Sequence, residues 1–138
     1  MNTFHLEILA ADRPFYKGEC ESLQVPISDG QYGIQANHRN AIAAIVPGTL
    51  RLRPPGGAEE IAAVSQGLIK VENNSVLLLV DTIERPEEID ANRARREAEE
   101  AMEAILQKKS IQSYHTAQAR MARALNRLKV KERHMVNL

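Results

Sequence analysis

The spacing of apolar residues changes once, near residue 84, and that change limits the chain to a strand-rich part followed by a helical one. Upstream, short apolar runs are broken by turn chemistry. Phe4, Leu6 and Ile8 alternate with polar neighbours, as do Leu23, Val25 and Ile27, and each set suits a half-buried strand. Asp29-Gly30 closes the second run as a turn signal. Pro47-Gly48 separates Ile42–Val46 from Leu50 and Leu52, and Pro54-Pro55-Gly56-Gly57 breaks the chain before Ile61–Val64. Gly67 precedes Leu68-Ile69-Lys70-Val71, and Asn73-Asn74 marks another turn. Val76–Val80 reads as a strand buried on both faces. About eight to ten short strands, with turns roughly every eight to twelve residues, predict a β-sandwich or barrel. No gap is long enough for a crossover helix, so mostly antiparallel pairing is expected.

Beyond Glu84 the texture is helical. Pro86 suits the first helical position, and Glu87, Glu88 and Asp90 place negative charge at the positive end of a helix dipole. Ala91, Ala94, Ala98, Ala101 and Ile105 form a narrow stripe, with Arg93/Glu97, Arg95/Glu99 and Arg96/Glu100 four apart on the outer faces. Ser110–Ser113 breaks the pattern, and a second helix then aligns Tyr114, Ala117, Met121, Ala124 and Leu128. Two such neighbours fold back as an antiparallel hairpin. At ~25 cal/mol per Å2 an alanine-rich seam is weakly held, so the hairpin is expected to be the least stable and most mobile element. The division predicted is 1–84 for the strands and 85–138 for the hairpin.

The 138 residues carry a formal net charge of zero, but that neutrality is a cancellation. Residues 1–83 hold six basic and nine acidic side chains, 84–112 hold six and eight, and 113–138 hold six and one. The last helix is therefore strongly basic. Cys20 is the only cysteine, which excludes a disulfide scaffold and is compatible with a reducing compartment. No apolar run approaches the ~18 residues needed to span a bilayer. Met1-Asn2-Thr3-Phe4-His5 lacks the layout of a signal peptide, so a soluble cytoplasmic protein is expected.

Catalytic patterns are missing. His5, His38, His115 and His134 lie too far apart for a common zinc spacing. There is no phosphate-binding Gly-rich loop and no nucleophile elbow around Ser65. Glu59/Glu60 and Glu87/Glu88 read as solvated pairs, Cys20 as a small core residue, and His38 as a structural or interface residue. The chain reads as a non-enzyme with no catalytic residue, no metal and no required cofactor.

Several segments in order carry a family likeness. They are Val25-Pro26-Ile27-Ser28-Asp29-Gly30-Gln31-Tyr32-Gly33-Ile34 followed by His38, then Pro47-Gly48-Thr49-Leu50, Ser65-Gln66-Gly67-Leu68-Ile69-Lys70-Val71, and Ile89-Asp90-Ala91-Asn92-Arg93-Ala94. Together they resemble the epsilon subunit of bacterial F-type ATP synthase over nearly the whole chain. The resemblance implies an N-terminal antiparallel β-sandwich bound to the gamma shaft and the c-ring, with Gln31, Tyr32 and His38 at the rotor contact. It implies a C-terminal hairpin that docks on the sandwich or extends along gamma, where it blocks ATP hydrolysis. Arg120, Arg123, Arg127 and Lys129 would then meet acidic loops of the catalytic beta and alpha subunits. The implied location is peripheral, on the cytoplasmic face of a bacterial plasma membrane, in a complex that moves protons or sodium ions. The pattern departs at Gln35-Ala36-Asn37 and Arg39-Asn40, where relatives usually carry Leu-Pro-Gly and Ala-Pro around the histidine.

The resemblance also implies ATP as a regulatory ligand of the hairpin. The motif is complete as Ile89-Asp90-x-x-Arg93-Ala94, and Arg123 and Arg127 fall at the matching places on helix two, with Glu84 near the adenine. Arginine forks suit phosphate oxygens. A position that is basic in well-characterised binders is Glu100 here, with Arg95 and Arg96 nearby. The plain alternative is a helix-start ion pair, Asp90/Arg93, and a solvated face, Arg123/Arg127. Two other functions fit less. A nucleic-acid-binding module would set Arg120, Arg123, Arg127, Lys129, Lys131 and Arg133 against phosphates, but the helix lacks interleaved aromatics and any recognition motif. A stand-alone nucleotide sensor would need no exposed apolar face on the sandwich.

Overall fold

The computed structural model describes residues 2–107 and 111–136, with side chains placed at 2–106 and 115–134. The chain divides into two compact units, Met1–Glu84 and Arg85–Leu138.

The first unit holds ten strands: β1 Phe4–Ala10, β2 Pro14–Cys20, β3 Ser22–Ile27, β4 Gly30–Gln35, β5 Ala41–Ile45, β6 Gly48–Arg53, β7 Glu60–Val64, β8 Gly67–Glu72, β9 Ser75–Val80 and β10 Ile83–Glu84. They form two five-stranded sheets, in the orders β2-β1-β9-β8-β5 and β10-β7-β6-β3-β4. Phe4, Leu6 and Ile8 from one sheet and Leu23, Val25, Leu50 and Leu52 from the other are buried in one shared core. Cys20 is fully buried there; burial pushes its thiol up, and the sulfur lies 3.0 Å from the Ser22 carbonyl oxygen. It is the small core residue the pattern predicts.

The pairing is mostly antiparallel, as expected; among the described strands β1 and β9 run parallel, with Leu6 beside Val76. Parallel neighbours need a long connection, and here all of β2 to β8 supplies it, so no helix is required. One expectation for these strands needs correction: β9 is buried on one face only. Val76, Leu78 and Val80 point into the core, whereas Leu79 is 47% exposed. Leu79 instead continues an outer row, Leu9–Leu79–Leu68–Ala44, across four strands. The turn signal at Asp29-Gly30 does close β3 at Ile27. The chain turns at Ser28-Asp29, and Gly30 already pairs with Ile27 as β4 begins.

In the second unit a 3-10 turn, Pro86–Glu88, precedes α1 Ala91–Gln107 and α2 Ile111–Val136. Pro86 therefore opens the 3-10 turn rather than the α-helix. Ile89 is extended, with φ −82° and ψ 123°, and it separates the two. The break between helices is also shorter than Ser110–Ser113, because α2 already includes Ile111 to Ser113. Glu97 of α1 lies 3.3 Å from Arg127 of α2, and Glu100 lies 3.6 Å from Arg120, so the helices run antiparallel. Ala94 and Ala101 on α1 and Ala117 and Ala124 on α2 are buried at seven-residue spacing, the period of a coiled-coil seam. Val130, which the stripe omits, is also fully buried, while Leu128 is half-buried; Tyr114 lies outside the described side chains.

The two units differ sharply in what they bury. Among the described residues the twelve largest fully buried side chains all lie in the sandwich. Each contributes about 1.5–3 kcal/mol, whereas the four seam alanines contribute on the order of 3 kcal/mol together. Their flanking ion pairs are partly exposed, and such pairs are worth about 0–1 kcal/mol each.

Candidate functional site

Two places gather the residues singled out by sequence. The first is the loop between β4 and β5. Alternation along β4 puts Tyr32 toward the core and Gln31 on the opposite, exposed face. His38 comes back against Tyr32, with ring centroids 5.4 Å apart at 46°. The Nδ1 of His38 lies 2.7 Å from the Arg39 carbonyl oxygen, so Nδ1 carries the proton and Nε2 is the acceptor in the neutral ring. A groove of about 290 Å3 over β3 and β4 is lined by Gln24, Gln35 and His38 among others.

Four asparagines brace this loop. Asn37 has φ 62°, a left-handed conformation in which Asn is the best substitute for Gly. Its backbone N–H donates to Asn74 Oδ1 at 2.7 Å, and Asn74 Nδ2 donates to the Thr3 carbonyl at 3.0 Å. Asn73 N–H donates to Asn40 Oδ1 at 3.0 Å. Asn73 and Asn74 have φ 52° and 61°, as both central residues of a type I′ turn require. Hydrogen bonds to the β8–β9 turn therefore hold the His38 loop. Sequence showed Asn73-Asn74 as a turn but not as a clamp. Asn74→Gly, which keeps the left-handed backbone, is expected to cost about 2 kcal/mol, from two lost hydrogen bonds at about 1 kcal/mol each. Thermal unfolding of the variant would show it as a lower Tm, with Asn37→Gly close to the parent.

The second place is the start of the hairpin. Asp90 is the N-cap of α1, and its Oδ1 accepts from the Arg93 backbone N–H at 3.1 Å. Ile89 and Ala94, both buried, occupy the two positions of a hydrophobic staple. The Ile-Asp-x-x-Arg-Ala pattern is thus a complete helix-start device. Asp90 and Arg93 do not form the expected ion pair, because the Arg93 guanidinium reaches Glu97 instead, Nε to Oε1 at 3.2 Å. A short carboxylate spent on the cap is turned back toward the backbone.

On α2, Arg120, Arg123 and Arg127 share a face, and α1 sets Glu97 and Glu100 against it. Arg127 is held by Glu97 and Arg120 by Glu100, while Arg123 has no carboxylate partner among the described residues. Lys129 leaves this group: two residues on from Arg127 it lies about 200° around the helix, and it is exposed. The Lys131 ammonium donates to the Pro86 carbonyl at 3.1 Å. Glu84 ends β10 opposite Ala63, in the sandwich unit. Among the described residues no group of three His, Cys, Asp or Glu is arranged to hold a metal, and no helix is long and apolar enough to cross a membrane.

Residues 3–86 match the family model of the ATP synthase delta/epsilon chain β-sandwich domain, and residues 87–132 match that of its long α-helix domain. The ATP synthase epsilon chain of Ruminiclostridium cellulolyticum is 39% identical, covering 96% of this chain and 98% of its own. That of Caldanaerobacter subterraneus is 41% identical over 96% of each. Among solved structures, a chain of the Euglena gracilis mitochondrial ATP synthase (OSCP/F1/c-ring) superposes with TM-score 0.78 at 19% identity, covering 98% of this chain and 82% of that one. A chain of the Tetrahymena thermophila mitochondrial central stalk and c-ring gives TM-score 0.62 at 13% identity, over 92% and 95%. At those identities the likeness is one of fold.

Proposed function

This chain belongs to the delta/epsilon-chain family of ATP synthase, and from that membership we propose that it is a non-catalytic rotor subunit whose hairpin regulates ATP hydrolysis. In this reading the sandwich couples the gamma shaft to the c-ring. The outer row Leu9–Leu79–Leu68–Ala44, with Ile42 72% exposed on the same sheet, supports a protein partner on that face. Both structural neighbours come from F1/c-ring or central-stalk assemblies, which supports the same partners. The protein then meets the membrane only through the complex, on the side that holds the catalytic subunits.

The observation that carries the regulatory part is the alanine seam. A hairpin that buries four alanine methyl groups, Ile89 and Val130, flanked by partly exposed ion pairs, opens at lower cost than the sandwich core. Opened, it frees a basic α2 to reach acidic loops of the catalytic beta and alpha subunits. ATP bound by the folded hairpin alone would draw the population back to the closed form by mass action. Arg93, Arg123 and Arg127 would hold its phosphates, with Ile89, Asp90 and Ala94 shaping the helix start.

Co-expression with gamma, alpha and beta subunits in a nuclease-treated extract tests the assignment. The tagged chain is expected to co-purify with gamma and the catalytic hexamer. Retention on DNA that falls steeply with salt, in place of that complex, would favour the nucleic-acid reading. The pairing of Arg120 and Arg127 with α1 carboxylates already argues against it.

A further inference from the structure

We propose that Glu97 is a built-in rival of nucleotide phosphate: its carboxylate occupies Arg93 and Arg127 in the folded hairpin and keeps ATP affinity low. The inference rests on reading this flank as the ATP site, and it adds what controls that site.

One carboxylate is shared by two arginines from different helices. Glu97 Oε1 accepts from Arg93 Nε at 3.2 Å, and Glu97 Oε2 accepts from Arg127 Nη1 at 3.3 Å. Arg127 is only 18% exposed, so a phosphate cannot simply add to it from solvent and must take the place of the carboxylate. Glu100, about one turn on, takes a single arginine, Arg120, at 3.6 Å. The charged flank thus holds Arg93, Arg120, Arg123 and Arg127 against Asp90, Glu97 and Glu100, and Asp90 is turned to the backbone as the cap. Of the four arginines, Arg123 alone has no carboxylate partner among the described residues. A carboxylate and a phosphate offer the same kind of oxygen pair to a guanidinium fork. Binding a triphosphate here is therefore an exchange of anions, opposed by the two carboxylates it displaces.

Neutralising Glu97 keeps the helix and the packing but removes the competing charge. Isothermal titration of the 138-residue chain with ATP would compare the parent, Glu97→Gln, and Glu97→Gln combined with Arg123→Ala, with far-ultraviolet circular dichroism confirming that each hairpin is folded. Glu97→Gln is expected to bind ATP at least about tenfold more tightly than the parent, and the added Arg123→Ala to abolish the gain. Glu97→Ala, with the best helix former at that position, serves if the Gln variant loses helicity. Equal dissociation constants in parent and Glu97→Gln would overturn the role of Glu97 while leaving the ATP site standing. No binding by any form at millimolar ATP would overturn both.

Discussion

Gly67→Ala is expected to be strongly destabilising to the sandwich. A Cβ at position 67 would sit 2.2 Å from the Leu79 carbonyl oxygen and 2.8 Å from the Val80 Cα. Those atoms are the backbone of β9, the strand paired with β8 in register Gly67↔Val80, so no side chain can rotate away. Relief requires β9 to move off β8, and β9 is the central strand of its sheet. Overpacking that side chains can absorb costs about 1–3 kcal/mol; a clash with backbone belongs at the top of that range, about 3 kcal/mol. For a unit of this size that lowers Tm by roughly 12–24 °C. Gly33→Ala is the control, since nothing lies within 4 Å of its added Cβ, and its Tm should stay within a few degrees of the parent. Calorimetric melting of the two variants decides the point. A Gly67→Ala melt matching that of Gly33→Ala would mean that β8 and β9 are not held this closely.

The same glycine illustrates what the sequence makes legible. Ser65-Gln66-Gly67 is visible as a family segment, and the turn before Leu68 is visible as turn chemistry. That Gly67 must be Gly because a neighbouring strand crowds it belongs to the sheet order, which no local pattern carries. Strands with clean alternation, such as Phe4-Leu6-Ile8 and Leu23-Val25-Ile27, can be read directly because one face is buried. Pro14–Cys20 and Gly30–Gln35 cannot, since both are edge strands rich in polar residues and glycine. Val76–Val80 misleads for the opposite reason. Its run is unbroken because Leu79 serves an exposed apolar row, not a second buried face.

At the hairpin the alternation of Ala and charge announces the seam, and Ala94, Ala101, Ala117 and Ala124 are all buried on it. The site residues are harder. Spacing of four predicts Arg93 with Glu97, which is observed, but it also predicts Arg96 with Glu100, whereas Glu100 reaches across to Arg120. Pairing between helices depends on their register, and sequence spacing within one helix does not contain it. The same limit hid the second arginine on Glu97 and the clamp made by Asn74.

The second large effect concerns regulation. All eighteen buried residues of the sandwich core lie at or before Ile83, so the sandwich keeps its own core when the hairpin is removed. In the proposed reading, closed and open hairpins lie within a few kcal/mol, a range in which both forms would be populated. If the extended form blocks about two thirds of the enzyme molecules, its removal raises turnover about threefold. ATP hydrolysis by the assembled synthase, measured with the full chain and with a chain lacking residues 87–138, is the most direct test. A complex that still assembles on gamma and hydrolyses ATP at least about twofold faster after truncation is expected. An intact complex whose hydrolysis rate is unchanged would contradict a regulatory hairpin.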